Sequence, residues 1–302
     1  MQTDNVSWRK QDMSVSGRIG KGFVVGSTLV SASVIFLIGV FLLLYSWDAV
    51  VREGWLLFGG TWNPADGRFG ILAMLYGTAA VTAIALVVAL PLGLATAVFT
   101  AEILPGRYRL AVKSALELLA GIPSIVYGLV AVALVSVWIE DLFALQTGRT
   151  VLSAGLILAV MILPTMITLS DDALHHVPRR YREAAEALGL YRFEVVRRAV
   201  WPIARTDVAG AALLALGRAM GETMATMLVV GGVDRLPGSP ADVLLPGQTI
   251  TSKLGREMAE TAFGSVHFSA MIFMGLVLFV FVLGLTMVAL IYFYHPEDRR
   301  YV

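Results

Sequence analysis

The sequence predicts an all-α polytopic membrane protein with six transmembrane helices and both termini on the cytoplasmic side. Three observations carry that expectation. Hydrophobic residues make up 57% of the 302-residue chain and charged residues 15%, against about 45–50% and about 25% in soluble domains. The apolar residues gather in six blocks of 20–28 residues, at 23–47, 71–98, 115–138, 151–170, 208–233 and 268–294. A bilayer core about 30 Å thick needs about 20 residues rising about 1.5 Å each, so every block is long enough to span. Of the 45 charged residues, all but Glu117, Arg218 and Glu222 lie outside the blocks.

The same composition excludes a soluble enzyme and a disordered chain. A net charge of +1 argues against a nucleic-acid binder, which would carry a basic patch and a high pI. With no cysteine in the chain, disulfides, thiolate metal sites, iron–sulfur clusters and cysteine nucleophiles are excluded.

Residues 1–22 form a polar arm with Arg9, Lys10, Arg18 and Lys21. The first block exceeds the about 7–15 apolar residues of a secretory signal and is not followed by a small-residue cleavage site; it is expected to be a retained span. Pro91 and Gly93 fall in the second block, Gly121, Pro123 and Gly128 in the third, and Pro164 in the fourth. Ordinary kinks, common in membrane helices, are the first expectation for these breakers; shaping of a cavity or gate is the sharper alternative. No internal or inverted repeat is visible of the kind found in secondary transporters.

Orientation follows from Lys and Arg. With the N-terminus inside, segments 1–22, 99–114, 171–207 and 295–302 carry 16 of them, and 48–70, 139–150 and 234–267 carry 6. Trp47, Trp55, Trp62 and Trp138 then fall near the outer ends of spans, as interfacial anchors do.

In the inner loop 171–207, Pro178 suits a helix start, Tyr181 to Leu188 is strongly helix-forming, Gly189 suits a turn, and Leu190 to Val200 resumes a helix until Pro202. Two short helices meeting at a glycine on the membrane surface are expected, and an amphipathic pair facing anionic lipid is the plain alternative.

Arg218 and Glu222 are four residues apart within the fifth block. On one helix they share a face, about a turn from each other. A charge at a span centre costs roughly 2.5–3.5 kcal/mol on insertion scales, so such residues mark pathways or interhelical pairs. An arginine fork donates two hydrogen bonds to two oxygens of a tetrahedral oxyanion, and Glu222 would hold the empty Arg218. The alternative is a purely structural pair, or Arg218 held by backbone carbonyls. Gly217 and Gly221 bracket the turn at a spacing suited to close helix packing. Glu117 is a secondary candidate, placed to snorkel or to pair. The four histidines lack ligand spacing: His175 and His176 are adjacent, and His267 and His295 stand apart. No phosphate-binding Walker loop occurs, since Gly20-Lys21-Gly22 lacks the spacing.

Glu183, Ala184, Ala185, Gly189 and Pro202 resemble the EAA loop of ABC-transporter permease subunits, with Ala199 and Trp201 where Ile and Leu are usual. The stretches GRAMGET (Gly217 to Thr223), AGIPSIVYG (Ala120 to Gly128), FGILAMLYGT (Phe69 to Thr78) and LPTMITLSDDAL (Leu163 to Leu174) are similar to phosphate-importer permeases of the PstC type, over about residues 60–295. Met224 and Ala225 stand where the sister PstA type usually has Ala-Pro.

The resemblance implies a type I ABC importer permease fold with a six-helix domain over 23–294, and a role as non-catalytic permease subunit of an ATP-driven phosphate importer. The loop would be the coupling element, with Glu183, Ala184, Ala185, Gly189 and Pro202 facing an ATPase. Arg218, Glu222 and, less directly, Glu117 would line the substrate path. The implied partners are a PstA-like permease, two PstB-like ATPases carrying ATP and Mg, and a PstS-like binding protein. Thr249 to Ser252 and Glu257 to Glu260 resemble the family's segment facing that binding protein; a solvated surface helix fits the latter equally. The alternatives are a permease for sulfate, molybdate or another oxyanion, and an ion-coupled secondary transporter using Glu117 and Glu222.

Overall fold

The computed structural model describes residues 15–239 and 242–293. Arg9, Lys10, His295 and the C-terminal tail 295–302 lie outside the described residues. Among the described residues six helices are long and apolar enough to cross a membrane: Gly20–Phe58, Leu72–Ile103, Ser124–Phe143, Val151–His175, Arg192–Gly221 and Val266–Val288.

The first helix, α1 (Val15–Glu53), runs 39 residues, about 58 Å at about 1.5 Å per residue. It packs on α12 (Val266–Phe293) and is otherwise exposed along most of its length. A short hairpin follows, β1 (Trp62–Asn63) antiparallel to β2 (Arg68–Phe69), with Trp62 opposite Phe69. It turns through Gly67 at φ 66°, a conformation glycine adopts without steric cost.

At the centre, α2 (Leu72–Val98) packs along α6 (Val151–His175), and α9 (Trp201–Gly221) packs against both. Small side chains permit this: Ala85, Ala89, Gly93 and Ala97 of α2 are buried at four-residue intervals. A Cβ on Gly93 would stand 2.7 Å from Met166, and one on Gly155 2.6 Å from Ile84. Close approach of small residues is what brings helices together in lipid, where burial from water supplies no drive. Pro91 and Pro164 lie inside unbroken helices.

Two of the expected spans are corrected. The block 115–138 is two helices. α3 (Gly106–Ala120) buries none of its residues; the chain breaks at Gly121–Pro123, and α4 (Ser124–Val130) begins after Pro123. Proline has no N–H and pushes its predecessor out of helical geometry, so the span starts there. It continues through a π-helical stretch, Ala131–Ser136, into α5 (Val137–Phe143). Glu117 therefore lies before the third span, on exposed α3, rather than one turn inside it.

The fifth span also differs from 208–233. It begins within the loop, ends at Gly221, and is followed by the separate short helix α10 (Met224–Val229). The loop contains α7 (Arg179–Ala187) and α8 (Arg192–Val195). The second arm is not a separate surface helix stopping at Pro202. A π-helical stretch, Val196–Val200, joins α8 to α9, so Pro202 stands inside one continuous helix, directly after that stretch.

The remaining helix, α11 (Ile250–Glu257), is folded inward, and Ile250, Thr251, Ser252 and Lys253 are buried. Gln248 lies so close to Gly77 of α2 that any side chain at Gly77 would overlap its carbonyl. The expectation that Thr249 to Ser252 face outward is thereby corrected: all four are buried.

Candidate functional site

The helix α9 ends because Glu222 leaves helical geometry, at ψ 124°. Its carboxylate accepts from the Ala225 backbone N–H at 3.2 Å, satisfying one of the donors exposed at the start of α10. Its carbonyl accepts from the Thr226 hydroxyl at 2.8 Å and from the buried Thr251 hydroxyl of α11 at 2.7 Å. Where a membrane-spanning helix breaks off, the freed polar groups need such partners.

Arg218, one turn before the break, donates through Nη1 to Thr165 Oγ1 of α6 at 2.9 Å. No ion pair joins Arg218 to Glu222 among the described residues. The expected shared helical face is corrected, because the helix ends between them. Thr165, not Glu222, holds the guanidinium. Arg218 is exposed, and among the described residues no atom comes within 4 Å of a Cβ at Gly210 or at either glycine of the Gly217–Gly221 pair. Beside α9 lies a cavity of about 620 Å3 between α6, α9 and α12, lined by Gly217, Asp172, His176, Asp207 and Thr286.

At the end of the bundle carrying the 176–192 loop, ionic contacts are dense. Asp171, with its side chain 2% exposed, accepts from Arg109 Nη2 at 2.6 Å and from Thr100 Oγ1 at 2.9 Å, and Lys113 Nζ lies 3.1 Å away. Lys113 also reaches Asp172 at 2.5 Å. Burial lowers the Lys113 pKa, but hydrogen bonds to Asp172 and Asp171 outweigh it and hold the ammonium above its ordinary value. Arg182 of α7 pairs with Glu102 at 2.7 Å.

In the loop itself, Glu183 and Ala184 are exposed and Ala185 is buried in the core. Gly189 turns the chain at φ 81°, in the left-handed region that side chains resist. The turn projects Leu188, Tyr191 and Phe193 at 82%, 82% and 74% exposure. Small Ala185 seats the loop, and this apolar tip is left free.

At the opposite end, buried Lys253 pairs with Asp234 and Glu257. Trp62 Nε1 donates to Glu257 at 3.2 Å, and His267 stacks on Phe69 at 5.7 Å between centroids. Burial pushes the Asp234 carboxyl above the usual carboxylate range, and Lys253 offsets this in part. Among the described residues no group of three or more His, Asp or Glu side chains converges to hold a metal ion.

Thr165, Glu102 and Arg182 were not singled out from sequence, and Thr251 only as part of the segment Thr249 to Ser252, without its contact to Glu222. Asp171 and Asp172 at the end of an apolar block, with Arg109 and Lys113 in the loop assigned to the same side, were the available signal for the ionic cluster. A threonine within an apolar helix gives none.

Residues 89–297 match the family model described as binding-protein-dependent transport system inner membrane component. The phosphate transport system permease protein PstC of Mesorhizobium japonicum is 36% identical over 78% of this chain and 77% of its own length. PstC of Haemophilus influenzae is 33% identical over 79% and 81%, and PstC 1 of Mycobacterium tuberculosis 36% identical over 74% and 72%. Among solved structures, a chain of the MetNI methionine ABC transporter in inward-facing conformations has the same fold. Its TM-score is 0.55 at 17% identity, covering 74% of this chain and 93% of that one.

Proposed function

The chain belongs to the family of binding-protein-dependent transport system inner membrane components, and from that premise we propose that it is a permease subunit of an ATP-driven inorganic phosphate importer. The observation that carries this is Arg218, an exposed charged fork one turn before a helix break, held by one neutral hydroxyl. A guanidinium has five N–H donors, and Thr165 occupies one of its nitrogens. The remaining donors suit two oxygens of a tetrahedral anion. The names of the relatives, phosphate transport system permease proteins, select phosphate.

Glu222 supports the site by capping α10 and keeping the break in place, so its negative charge is engaged away from Arg218. Gly217 and Gly221 leave room on α9 for a second, PstA-like permease. Glu117 on α3 is set apart from this site and is assigned no role in the path. The bundle end carrying the 176–192 loop faces the cytoplasm, as do both termini, in keeping with the 16-to-6 division of basic residues. There Glu183, Ala184, Ala185, Gly189 and Pro202 build the element that meets the PstB-like ATPases, with Leu188, Tyr191 and Phe193 as its apolar contact. ATP and Mg bind those partners, since this chain carries no Walker loop. A PstS-like binding protein delivers phosphate from the other side.

The test is uptake of labelled phosphate into vesicles holding the assembled complex, with ATP inside and the binding protein outside. ATP-dependent uptake displaced by unlabelled phosphate and not by sulfate is expected. Transport by this chain alone without ATP, or preferential displacement by sulfate, would overturn the assignment.

A further inference from the structure

Two arginines, one from each arm of the 176–192 loop, end on Glu102 at the end of the second span. Arg182 of α7 donates to the Glu102 carboxylate from Nη2 at 2.7 Å and from Nε at 3.3 Å, and Arg192 at the start of α8 donates to the Glu102 carbonyl. The same Arg182 guanidinium donates to the carbonyls of Leu174, at 2.8 Å, and Val177 at the end of α6. The Leu174 carbonyl also receives the Val177 N–H at 3.4 Å, and Arg182 adds the stronger partner at this helix end, where carbonyls lack the regular intrahelical bonds. The Glu102 side chain is 8% exposed and that of Arg182 18%, so the pair is shielded from solvent screening. Glu102 itself sits in a π-helical stretch, Phe99–Ile103, that ends α2, and its carbonyl is free for Arg192 because the helix stops there.

We propose that Glu102 is the positioning residue of the coupling loop, clasping both of its arms to the second and fourth spans so that loop, α2 and α6 move as one body. This rests on the functional reading above, in which the loop meets the ATPase. It carries that reading further, because the fifth span is not the only route from the loop to the anion site. α6 bears Thr165, the partner of Arg218, so displacement of the loop reaches the guanidinium from two helices at once. Glu102 touches neither substrate nor ATPase; it acts through Arg182 and Arg192.

The experiment compares phosphate uptake and ATP hydrolysis on the same vesicles, in the complete complex with binding protein, for Glu102→Ala, Glu102→Gln, Arg182→Ala and the double alanine variant. Glu102→Ala is expected to retain the ATPase subunits and to lose about tenfold in phosphate moved per ATP, within the range usual for coupling between sites. Glu102→Gln keeps an acceptor oxygen and falls between. The double variant is expected to be no worse than Arg182→Ala alone, because both act on one contact. Where an alanine variant does not accumulate, Arg182→Lys keeps the charge and loses the fork, and a loss of about threefold in the ratio is expected.

An unchanged ratio in Glu102→Ala or Arg182→Lys, additive losses in the double variant, or release of the ATPase subunits would each overturn the proposal. Failure of the underlying functional reading is seen separately, as absence of ATP-dependent phosphate uptake in the unsubstituted complex.

Discussion

Asp171 and Arg218 lie at different depths of the same bundle, and their surroundings are opposite. Asp171 is buried under Arg109, Lys113 and Thr100, and beside it Arg182 and Glu102 form a second shielded pair. Arg218 stands exposed, with Thr165 as its hydrogen-bond partner among the described residues. Charges that hold helices together are saturated with partners, because a buried charge left unpaired is costly. A charge that must accept and release an anion keeps donors free. On the function proposed above, the contrast separates the part of the chain that would carry force from the part that would meet substrate.

The comparison breaks most readily at Asp171. Removing one member of a buried pair strands the other, at a cost of about 3–5 kcal/mol. Asp171→Ala is therefore expected to lower thermal stability of the purified subunit sharply. Arg218→Ala should change it by about 0.5 kcal/mol or less, as at other exposed sites. Equal losses in a melting experiment would erase the distinction.

A smaller effect is expected at Gly217 of α9. A Cβ at Gly217 meets nothing within 4 Å among the described residues, and the leucine of Gly217→Leu would extend from it into the space proposed for a second permease. Pairing should weaken by about 1–3 kcal/mol, the usual penalty of overpacking, read as loss of the partner permease on co-purification with the chain's own melting point kept.

Smaller again, Thr165→Val removes one hydrogen bond to a charged group. The loss, about 1.5 kcal/mol, should appear as roughly a tenfold fall in uptake at low phosphate.

The least effect belongs to Lys113. Its pKa is raised in the folded chain, so its contribution is fully present below the unfolded value near 10.5 and disappears as pH rises through the higher folded value. Lys113→Met should cost at most about 1 kcal/mol at neutral pH, given solvent screening. It should also flatten the decline of stability above pH 10.5 in a pH-resolved melt.

The spans were legible in the sequence because the lipid core demands long apolar runs, and six such runs are present. Their limits were less so. Hydropathy alone merges α3 with α4, since it ignores the backbone break at Pro123. It also misses the amphipathic start of the fifth span, whose arginines Arg197 and Arg198 are exposed. The position of Arg218 was visible because charge in an apolar block is rare. Its pairing was not, because a four-residue spacing places two side chains together only if the helix continues, and here it ends at Gly221. The role of Thr165 was invisible for another reason: a threonine in a membrane helix can bond its own backbone, as Thr78 does to Met74. Long-range partners such as Glu102 with Arg182 are fixed by packing of distant segments, which no local pattern encodes.

Phosphate uptake by the complete complex carrying Arg218→Ala, with Arg218→Lys beside it, tests the central claim most directly. Both variants should assemble with the partner subunits. Uptake should fall by about a hundredfold for alanine, the scale of hydrogen bonds between a charged fork and an anion, and by less for lysine, which keeps the charge and loses the fork. Uptake at the unsubstituted rate in a fully assembled Arg218→Ala complex would contradict the account.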